Sequence, residues 1–378
     1  MKKVLITGGA GFIGSTLALK LIEKGYQVTV LDNLSEQIHG ENPILSSPLY
    51  KNILGKVEFI EGSVVDEALL RLLVKRHEII VHYAAETGTG QSMYQIEHYS
   101  NVNIQSTAVL MDILTNEEHT IEKIVVASSR SIYGEGKYEC KEHGVVYPKT
   151  RKEVFLSKGD FNVKCPICNK NVALKGTSED SKIHPSSIYG ITKQVQEQLF
   201  LVTGQSIGLP AVALRYQNVY GPGQSLSNPY TGILSIFSNR ILNGNPILIF
   251  EDGEESRDFI YIDDVVNATI LAIEKEEANG HALNVGAGVA TSVKEVAERL
   301  LKNYNREIKY TISGNYRIGD IRHNYADLTL TKELLGFEPV FSFETGIKNF
   351  CKWVIEQELP EDKYEKSIIE MKAKGLYK

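Results

Sequence analysis

The chain has 378 residues, of which 42% are apolar and 23% are charged, and its formal net charge at pH 7 is −6. The length predicts two or three domains, and the apolar share is ample for a folded core. The negative charge and the absence of a Lys/Arg run argue against nucleic acid or an anionic membrane as a partner. No apolar run is long enough to cross a bilayer, so we expect a cytoplasmic protein.

The first predicted elements are a strand, a glycine-rich turn and a helix. The strand covers residues 4–7, and an apolar helical pattern follows the turn as far as Gly25. In a βαβ unit such glycines allow a tight turn and a close approach of the backbone to a pyrophosphate, which binds the free N–H groups of the helix start. The residues predicted to hold a dinucleotide here are Gly8, Gly11, Phe12, Ile13 and Gly14.

A second strand, residues 27–31, ends at Asp32. This carboxylate follows the glycines at about the distance of the ribose-binding acid in a dinucleotide fold. It would accept hydrogen bonds from both adenosine ribose hydroxyls and would repel a 2′-phosphate, which favours NAD over NADP. Asn33, next to it, is a further predicted cofactor contact.

Two more strands follow, at residues 57–60 and 78–85. The small side chains of Ala84 and Ala85 leave room for the cofactor. A polar, glycine-containing loop comes next, at the carboxyl end of a parallel strand, where ligands bind in open α/β sheets. We interpret this loop as a substrate-binding segment, with a plain connecting loop as the alternative; its candidate contacts are Glu86, Gln91, Ser92 and Met93.

Residues 136–183 interrupt the alternation of strands and helices, and they contain three of the four cysteines. Cys140 and His143 form one short knuckle, and Cys165 and Cys168 form another. A Cys₃His set with two-residue spacers suits Zn²⁺ with all four positions filled. The pattern predicts a structural zinc site that contributes no chemistry; a redox dithiol and reduced bystander thiols are the alternatives.

Several motifs stand in order along the chain: T-G-G-x-G-F-I-G at residues 7–14, S-S-R-S-I-Y-G at 128–134, Y-x-x-x-K at 189–193 and R-D-F-I-Y-I-D-D-V at 257–265. They resemble the motifs of the extended short-chain dehydrogenases/reductases. The resemblance covers residues 1–135 and 184–355. It implies an α/β protein, with a Rossmann doubly wound parallel sheet, a smaller α/β substrate-binding domain and the zinc-knuckle-like insertion.

The expected domain limits follow from this resemblance. Residues 1–216, with the insertion at 136–183, would form the NAD-binding domain, to which residues 259–284 return. Residues 217–258 and 285–355 would form the nucleotide-sugar-binding domain. The remainder, 356–378, is predicted to be a helical tail, to which we assign no function.

The catalytic residues implied by the resemblance are Ser129, Tyr189 and Lys193. Tyr189 and Lys193 stand at i and i+4, so they share one face of a helix. A phenol is a poor base at neutral pH, and a neighbouring ammonium group would lower its pKa. The family's catalytic hydroxyl stands four residues before the tyrosine of S-S-x-x-x-Y-G, which is Ser129 here; Ser131 is the alternative.

The resemblance also implies further binding residues. For the cofactor they are Lys193, Asn103, Ser63 and Val64, and Ser63 departs from the family because an aspartate usually stands there. For the nucleotide sugar they are Asn218, Arg257 and Arg322. Asn218 lies in a turn similar to R-x-x-N-x-Y-G-P, and Arg322 lies in a loop similar to R-P-G-D-x-R.

The motifs favour one reaction within this family. A 4,6-dehydratase has Asp-Glu directly after its serine or threonine, and Arg130 and Ser131 cannot do that acid–base work. We therefore expect a nucleotide-sugar 4-epimerase, in which Tyr189 removes a proton from the sugar while a tightly bound NAD takes hydride from the same carbon. An NAD(P)-dependent dehydrogenase or reductase, a decarboxylase and a non-catalytic NAD sensor are the alternatives.

The expected substrate follows from a resemblance to one subgroup of this family. Met93 and the insertion resemble epimerases that act on deoxythymidine-diphospho-6-deoxy sugars such as dTDP-L-rhamnose. A UDP-hexose or UDP-uronate remains the alternative. The family resemblance also implies a homodimer.

Overall fold

The computed structural model describes residues 1–228, 230 and 232–378. Its strands, in chain order, are Lys3–Thr7 (β1), Gln27–Asp32 (β2), Glu58–Glu61 (β3), Ile79–His82 (β4), Lys123–Ser129 (β5), Tyr138–Cys140 (β6), Gly144–Val146 (β7), Ala173–Leu174 (β8), Ala211–Tyr216 (β9), Asn218–Tyr220 (β10), Ile247–Ile249 (β11), Ser256–Tyr261 (β12), Ala282–Val285 (β13), Ala290–Ser292 (β14), Tyr310–Ile312 (β15) and His323–Asn324 (β16).

The α-helices are Phe12–Glu23 (α1), Glu36–His39 (α2), Pro43–Ser46 (α3), Pro48–Ile53 (α4), Glu67–Val74 (α5), Thr89–Ser92 (α6), Ile96–Tyr99 (α7), Ser106–Asn116 (α8), Glu153–Leu156 (α9), Ile188–Ile207 (α10), Ile233–Leu242 (α11), Ile262–Glu274 (α12), Val293–Tyr304 (α13), Thr329–Leu335 (α14), Phe343–Ile355 (α15) and Tyr364–Ala373 (α16). A π-helical stretch, Ser100–Gln105, joins α7 to α8, and 3₁₀ turns cover Arg130–Tyr133 and Glu276–Ala278. Among the residues described, none of these helices is long and apolar enough to span a bilayer.

The largest sheet has seven strands in the order β13-β9-β5-β4-β1-β2-β3, and every neighbouring pair is parallel. Its direction of winding reverses between β1 and β4, which is the switch point where ligands bind in doubly wound sheets. The predicted fold class, a Rossmann sheet in an α/β protein, is confirmed.

Side chains on the two faces of this sheet enter two separate cores. Alternate residues of a strand point to opposite faces, so Val4 and Ile6 of β1 belong to one core while Leu5 belongs to the other. Helices α1 and α12 cover the first face, and α5, α8 and α10 cover the second. Burial on both faces explains why the central strands are almost entirely apolar.

Smaller sheets lie beyond the carboxyl ends of the large one. Strand β12 pairs in parallel with β10 and β16 and antiparallel with β14, and β11 pairs with β15. Within the insertion, β6 lies between β7 and β8. The insertion has a small buried cluster of its own, formed around Tyr138, Val146, Val163 and two of the cysteines.

The acidic pair Asp263 and Asp264 lies within the first turn of a helix, because α12 begins at Ile262. The Asp264 carboxylate accepts hydrogen bonds from the N–H groups of Val340 and Phe341, at 2.9 and 3.0 Å. Asp264 therefore anchors a distant segment rather than its own helix.

Candidate active site

Ser129 and Tyr189 meet at the carboxyl edge of the large sheet. Ser129 is the last residue of β5, and Tyr189 lies in the first turn of the 20-residue helix α10. Gly190 permits the close packing, because a Cβ atom there would lie 2.7 Å from the carbonyl oxygen of Ser131. The Ser187 hydroxyl caps the helix by accepting from the N–H of Gly190 at 3.1 Å. Tyr189 therefore faces the turn that follows Ser129, at the positive end of a long helix.

The Ser129 hydroxyl acts on the Tyr189 phenol and lowers its pKa. The Ser129 oxygen accepts from the N–H of Ser131 at 3.2 Å and from the Ser131 hydroxyl at 3.0 Å. These two donors fix the position of the Ser129 oxygen. Ser131, the alternative candidate, is thus bonded to Ser129, and the choice of Ser129 as the catalytic hydroxyl stays a prediction.

Burial raises the pKa of Tyr189 above its ordinary value, and two neighbours oppose that effect. The hydrogen bond from Ser129 favours the phenolate, and so does the positive charge of Arg130. Burial and the nearby Arg257 cation lower the pKa of Arg130 to about 9, so this side chain is charged at neutral pH. The sequence does not single out Arg130 as a site residue, and it is the cation that acts on the phenol here.

Lys193 lies one turn after Tyr189 on the same helix and is buried. Its ammonium group donates to the Oε1 atom of Gln196 at 2.6 Å. Burial lowers its pKa to about 7, and the Glu197 carboxylate opposes this shift. The ammonium group is turned toward Gln196, and the expectation that Lys193 lowers the pKa of Tyr189 stays a prediction.

The glycine turn forms a cradle at the switch point of the sheet. Gly8 has a φ of +69°, and a Cβ atom there would lie 2.7 Å from the backbone nitrogen of Ala84. Helix α1 begins directly after Gly11, which offers no side-chain cap. The N–H groups of Phe12, Ile13 and Gly14 therefore point out of the helix start, where an anion binds. This geometry fits the pyrophosphate of a dinucleotide.

Asp32 lies beside the cradle. Its two carboxylate oxygens accept from the N–H of Ala10 at 3.0 Å and the N–H of Leu34 at 2.9 Å. Burial raises the pKa of this carboxyl group, which the backbone donors and His39 oppose. A buried carboxylate in this position fits the ribose hydroxyls of NAD. Asn33 beside it is exposed, and Ser63 and Val64 follow the neighbouring strand β3.

Asn103 is fully bonded within the protein. Its side chain accepts from the N–H of Glu86 at 2.7 Å and donates to the carbonyl of Glu86 at 3.0 Å and to the Thr192 hydroxyl at 2.9 Å. It therefore links the loop after β4 to α10. These bonds hold the loop in place, and the role of Asn103 as a cofactor contact stays a prediction.

The four candidate substrate contacts in the loop after β4 differ in what they touch. Gln91 exchanges hydrogen bonds with Gln37 at 3.0 and 3.2 Å, and the buried Ser92 hydroxyl accepts from the N–H of Tyr189 at 3.0 Å. These two residues shape the loop. Glu86 lies 3.2 Å from His98. Only Met93 lines the cleft described next.

The central cleft, with about 410 Å³ of empty space, lies between residues 89–93, residues 186–187 and residues 317–320. Its charged wall is formed by Arg317 and Asp320, which are 2.7 Å apart. Burial would raise the pKa of Asp320, but the Arg317 and Arg257 cations hold it well below its usual range. Sequence analysis did not select Arg317, although it opens the R-x-G-D-x-R loop that contains Arg322.

The two arginines expected at the diphosphate lie behind this wall. Arg322 is buried, and its guanidinium is paired with Glu251 at 2.9 Å and Asp252 at 2.7 Å. Arg257 is bonded to the carbonyl of Ile321 at 2.8 Å and lies 3.3 Å from Asp320. Arg322 thus lies in a buried ionic network, and the binding of the nucleotide sugar by Arg257 and Arg322 stays a prediction.

This network reaches the insertion. Arg151 is buried and forms a two-point pair with Glu251, at 2.7 and 2.8 Å, and its guanidinium also donates to the carbonyl of Asp320 at 3.0 Å. Such two-point pairs with carboxylates fix geometry as well as charge. The insertion is thereby joined to the loop that forms the charged wall.

Asn218 contacts Arg130. The Oδ1 atom of Asn218 accepts from the Nε atom of Arg130 at 2.8 Å. Among the residues that the structure describes, this is the single hydrogen bond made by the Arg130 side chain.

The four predicted metal ligands are brought together. Cys140 Sγ lies 3.5 Å from His143 Nδ1 and 3.7 Å from Cys168 Sγ, and Cys165 Sγ lies 3.7 Å from His143 Nδ1. All four ligand atoms lie within 4.8 Å of one another. Ligands of a tetrahedral Zn²⁺ at about 2.0–2.3 Å would lie roughly 3.5–3.8 Å apart. The donor set and its spacing therefore fit zinc.

Comparisons with known proteins agree with this geometry. Residues 169–286 match the NAD dependent epimerase/dehydratase family, and residues 5–151 match the GDP-mannose 4,6 dehydratase model. The chain is 34% identical to a dTDP-L-rhamnose 4-epimerase of Burkholderia thailandensis over 358 residues, which cover 94% of this chain and 96% of that protein.

Solved structures give the same result. A UDP-glucose 4-epimerase of Thermotoga maritima with UDP-glucose has a TM-score of 0.75 and 32% identity, with 94% of this chain and 99% of that chain covered. A UDP-glucuronic acid 4-epimerase of Bacillus cereus, in complex with UDP-glucuronic acid and NAD, also has a TM-score of 0.75, with 25% identity and the same coverage. The chain therefore belongs to the NAD-dependent epimerase/dehydratase family of the extended short-chain dehydrogenases/reductases.

Proposed function

We propose that the protein is an NAD-dependent nucleotide-sugar 4-epimerase, an isomerase that acts on carbohydrates. The observation that carries the proposal is the pairing of Ser129 with Tyr189, in which Ser129 lowers the pKa of the phenol, at the carboxyl edge of the sheet whose switch point carries the glycine cradle. Relatives that cover nearly the whole chain are 4-epimerases, which supports the same assignment.

The residues have distinct roles in this reaction. Bound NAD would accept a hydride from the sugar C4 atom and return it. Tyr189 takes the proton of the C4 hydroxyl and later gives it back, while Ser129 donates a hydrogen bond to the oxygen involved. Arg130 and Ser129 make the phenolate easier to form. Between the two proton transfers the 4-keto sugar turns over in the cleft, so that its other face is reduced.

Dehydration would need further acid–base groups beside Ser129. Arg130 is bonded to Asn218 and is charged at neutral pH, so it is a poor proton donor. Ser131 is bonded to Ser129. These contacts support epimerisation, which needs no elimination step.

The proposed substrate is a dTDP-6-deoxyhexose such as dTDP-L-rhamnose. The similarity to the B. thailandensis enzyme supports it, and so does the apolar side chain of Met93 on the cleft. The T. maritima and B. cereus structures contain UDP-sugars, which makes UDP-glucose and UDP-glucuronate the comparison substrates.

Two further assignments belong to this proposal. Zn²⁺ held by Cys140, His143, Cys165 and Cys168 has a structural role, because its ligands leave no open position for a substrate. The chain divides into an NAD-binding part, residues 1–216 and 259–284, and a nucleotide-sugar-binding part, residues 217–258 and 285–355. The membership of β13 in the large sheet supports this division.

The test is an NMR assay of the purified enzyme with each of these three nucleotide sugars and no added cofactor. We expect dTDP-L-rhamnose to give a new C4 epimer with no net change in NADH, because the same cofactor is oxidised and reduced in each turnover. Turnover that begins only after NAD or NADH is supplied in stoichiometric amount would instead indicate a dehydrogenase or reductase.

A further inference from the structure

The C-terminal segment, residues 364–378, lies directly against the loop that forms the charged wall of the central cleft. The N–H of Tyr316 donates to the carbonyl of Lys378 at 2.9 Å, and the N–H of Lys378 donates back at 3.0 Å. The N–H of Ile318 donates to the carbonyl of Leu376 at 3.0 Å. The end of the segment is thus an added antiparallel strand on residues 316–318.

The same segment is tied to the opposite side of the cleft. The Lys374 ammonium group lies 5.4 Å from the centre of the Tyr94 ring, directly after Met93. The Tyr230 hydroxyl donates to Glu370. Because it holds both the Tyr94 loop and the 316–318 loop, the segment bridges the two sides of the cleft.

Buried side chains pack the C-terminal segment against the rest of the protein. Tyr364, Ile368, Met371 and Tyr377 are buried and form one apolar cluster. The Tyr377 ring packs edge-on against Phe250 at 5.3 Å, and the Arg240 guanidinium lies 4.3 Å from the centre of the Tyr364 ring. This packing fixes the position of the side chains that reach the cleft.

Met371 and Leu376 line the cleft together with Met93 and Ile318. These side chains give the cleft an apolar part beside the charged pair Arg317 and Asp320. A binding site of this kind takes a ligand with a charged part and an apolar part, and its polar groups fix the orientation. Methionine adapts its shape to small apolar groups.

We propose that residues 364–378 form a wall of the substrate site and that Met371 and Leu376 hold a methyl group of the nucleotide sugar against Met93. This inference rests on the proposed function, and it names the chemistry that the site selects. The methyl group has two possible sources in a dTDP-6-deoxyhexose: the thymine base and the C6 atom of the sugar. Both sources bring the same apolar group, and matched ligand pairs separate them.

The experiment measures dissociation constants of the full-length protein by calorimetry. The pair dTDP and dUDP differs only in the thymine methyl group, and the pair dTDP-6-deoxyglucose and dTDP-glucose differs only at C6. We expect the wild-type protein to prefer the methyl-bearing member of one pair. For dTDP over dUDP the expected factor is about four, the value of one buried methyl group. For the 6-deoxy sugar it is at least as large, because its partner would bury a hydroxyl group. The pair that shows this preference identifies the source.

The variants Met371→Ala and Leu376→Ala are expected to remove that preference. Ile369→Ala is the matched control, because Ile369 lies on the same helix with 67% of its surface exposed. It should keep the preference. If either test variant unfolds, the near-isosteric Met371→Gln or Leu376→Asn replaces it.

The proposal is overturned if the wild-type protein has no preference in either pair, or if the variants keep it. The outcome for the proposed function is separate. A methyl preference that depends on Met371 and Leu376, without turnover of any of the three nucleotide sugars, would refute the epimerase assignment and leave the role of the C-terminal segment standing.

Discussion

The buried ammonium group of Lys193 donates a hydrogen bond to the side-chain oxygen of Gln196, 2.6 Å away on the same helix. The amide nitrogen of Gln196 donates in turn to the Thr107 hydroxyl at 2.9 Å, and Thr107 lies 3.3 Å from the His82 ring. His82 reaches Thr7, at the end of β1, at 2.8 Å. A chain of buried polar groups therefore connects the helix of Tyr189 to the strand that leads into the glycine turn.

Gln196 is expected to set the charge of Lys193. Gln196→Leu removes the acceptor, so the pKa of Lys193 should fall below its present value of about 7. If the ammonium form is needed for turnover, the alkaline limb of the kcat profile then moves to lower pH. Gln196→Glu places a carboxylate there and should move the same limb to higher pH. Identical profiles for the two variants would contradict this role.

Arg130 is expected to favour the phenolate of Tyr189. Arg130→Gln removes the cation, so the pKa of Tyr189 rises and the acid limb of the kcat profile moves to higher pH. A rise of one pKa unit corresponds to about a tenfold loss of turnover at neutral pH. Arg130→Lys keeps the charge and should restore most of the profile. A lysine variant that behaves like the glutamine variant would show that charge is not the cause.

Tyr189→Phe should nearly abolish epimerisation, by a factor of about 10²–10⁴, because it removes the group that accepts and returns the proton. The NAD content and the melting temperature should stay close to those of the wild type. Val202→Ala is the control, since Val202 lies on the same helix and 65% of its surface is exposed. Turnover above about a tenth of the wild-type rate would exclude Tyr189 from its proposed role.

The double substitution Cys165→Ser with Cys168→Ser should remove the zinc and lower the melting temperature by several degrees. The physical reason is that metal binding supplies much of the folding energy of such small sites. Elemental analysis measures the metal, and Cys351→Ala is the control for metal content, because Cys351 lies in α15 and is not one of the four clustered ligands. Wild-type protein free of zinc would refute the site.

Local patterns predict the part of the site that lies on regular elements. The glycine turn, Asp32 after β2 and Ser129 after β5 follow directly from apolar runs and the residues that end them. The i and i+4 spacing of Tyr189 and Lys193 likewise places both on one face of α10. In each case the geometry depends on a few neighbours in sequence.

Partners of long polar side chains depend on tertiary packing, and sequence patterns do not reveal them. Gln91, Asn103 and Arg322 are all used within the protein, by Gln37, Glu86 and Glu251. The C-terminal segment shows the same limit: its charged sequence does not indicate that Met371 and Leu376 reach the cleft. Only the fold brings these distant parts of the chain together.

The insertion also affects the entropy of assembling the active site. It lies in the chain between Ser129 and Tyr189, whose hydroxyl groups must meet. With zinc bound, the segment from Cys140 to Cys168 is a closed loop. The chain left free between Ser129 and Tyr189 is then about half as long as it is without the metal. Halving a loop lowers its closure cost by about 0.6 kcal/mol. A metal bound at this site would thereby make it easier to bring the catalytic pair together.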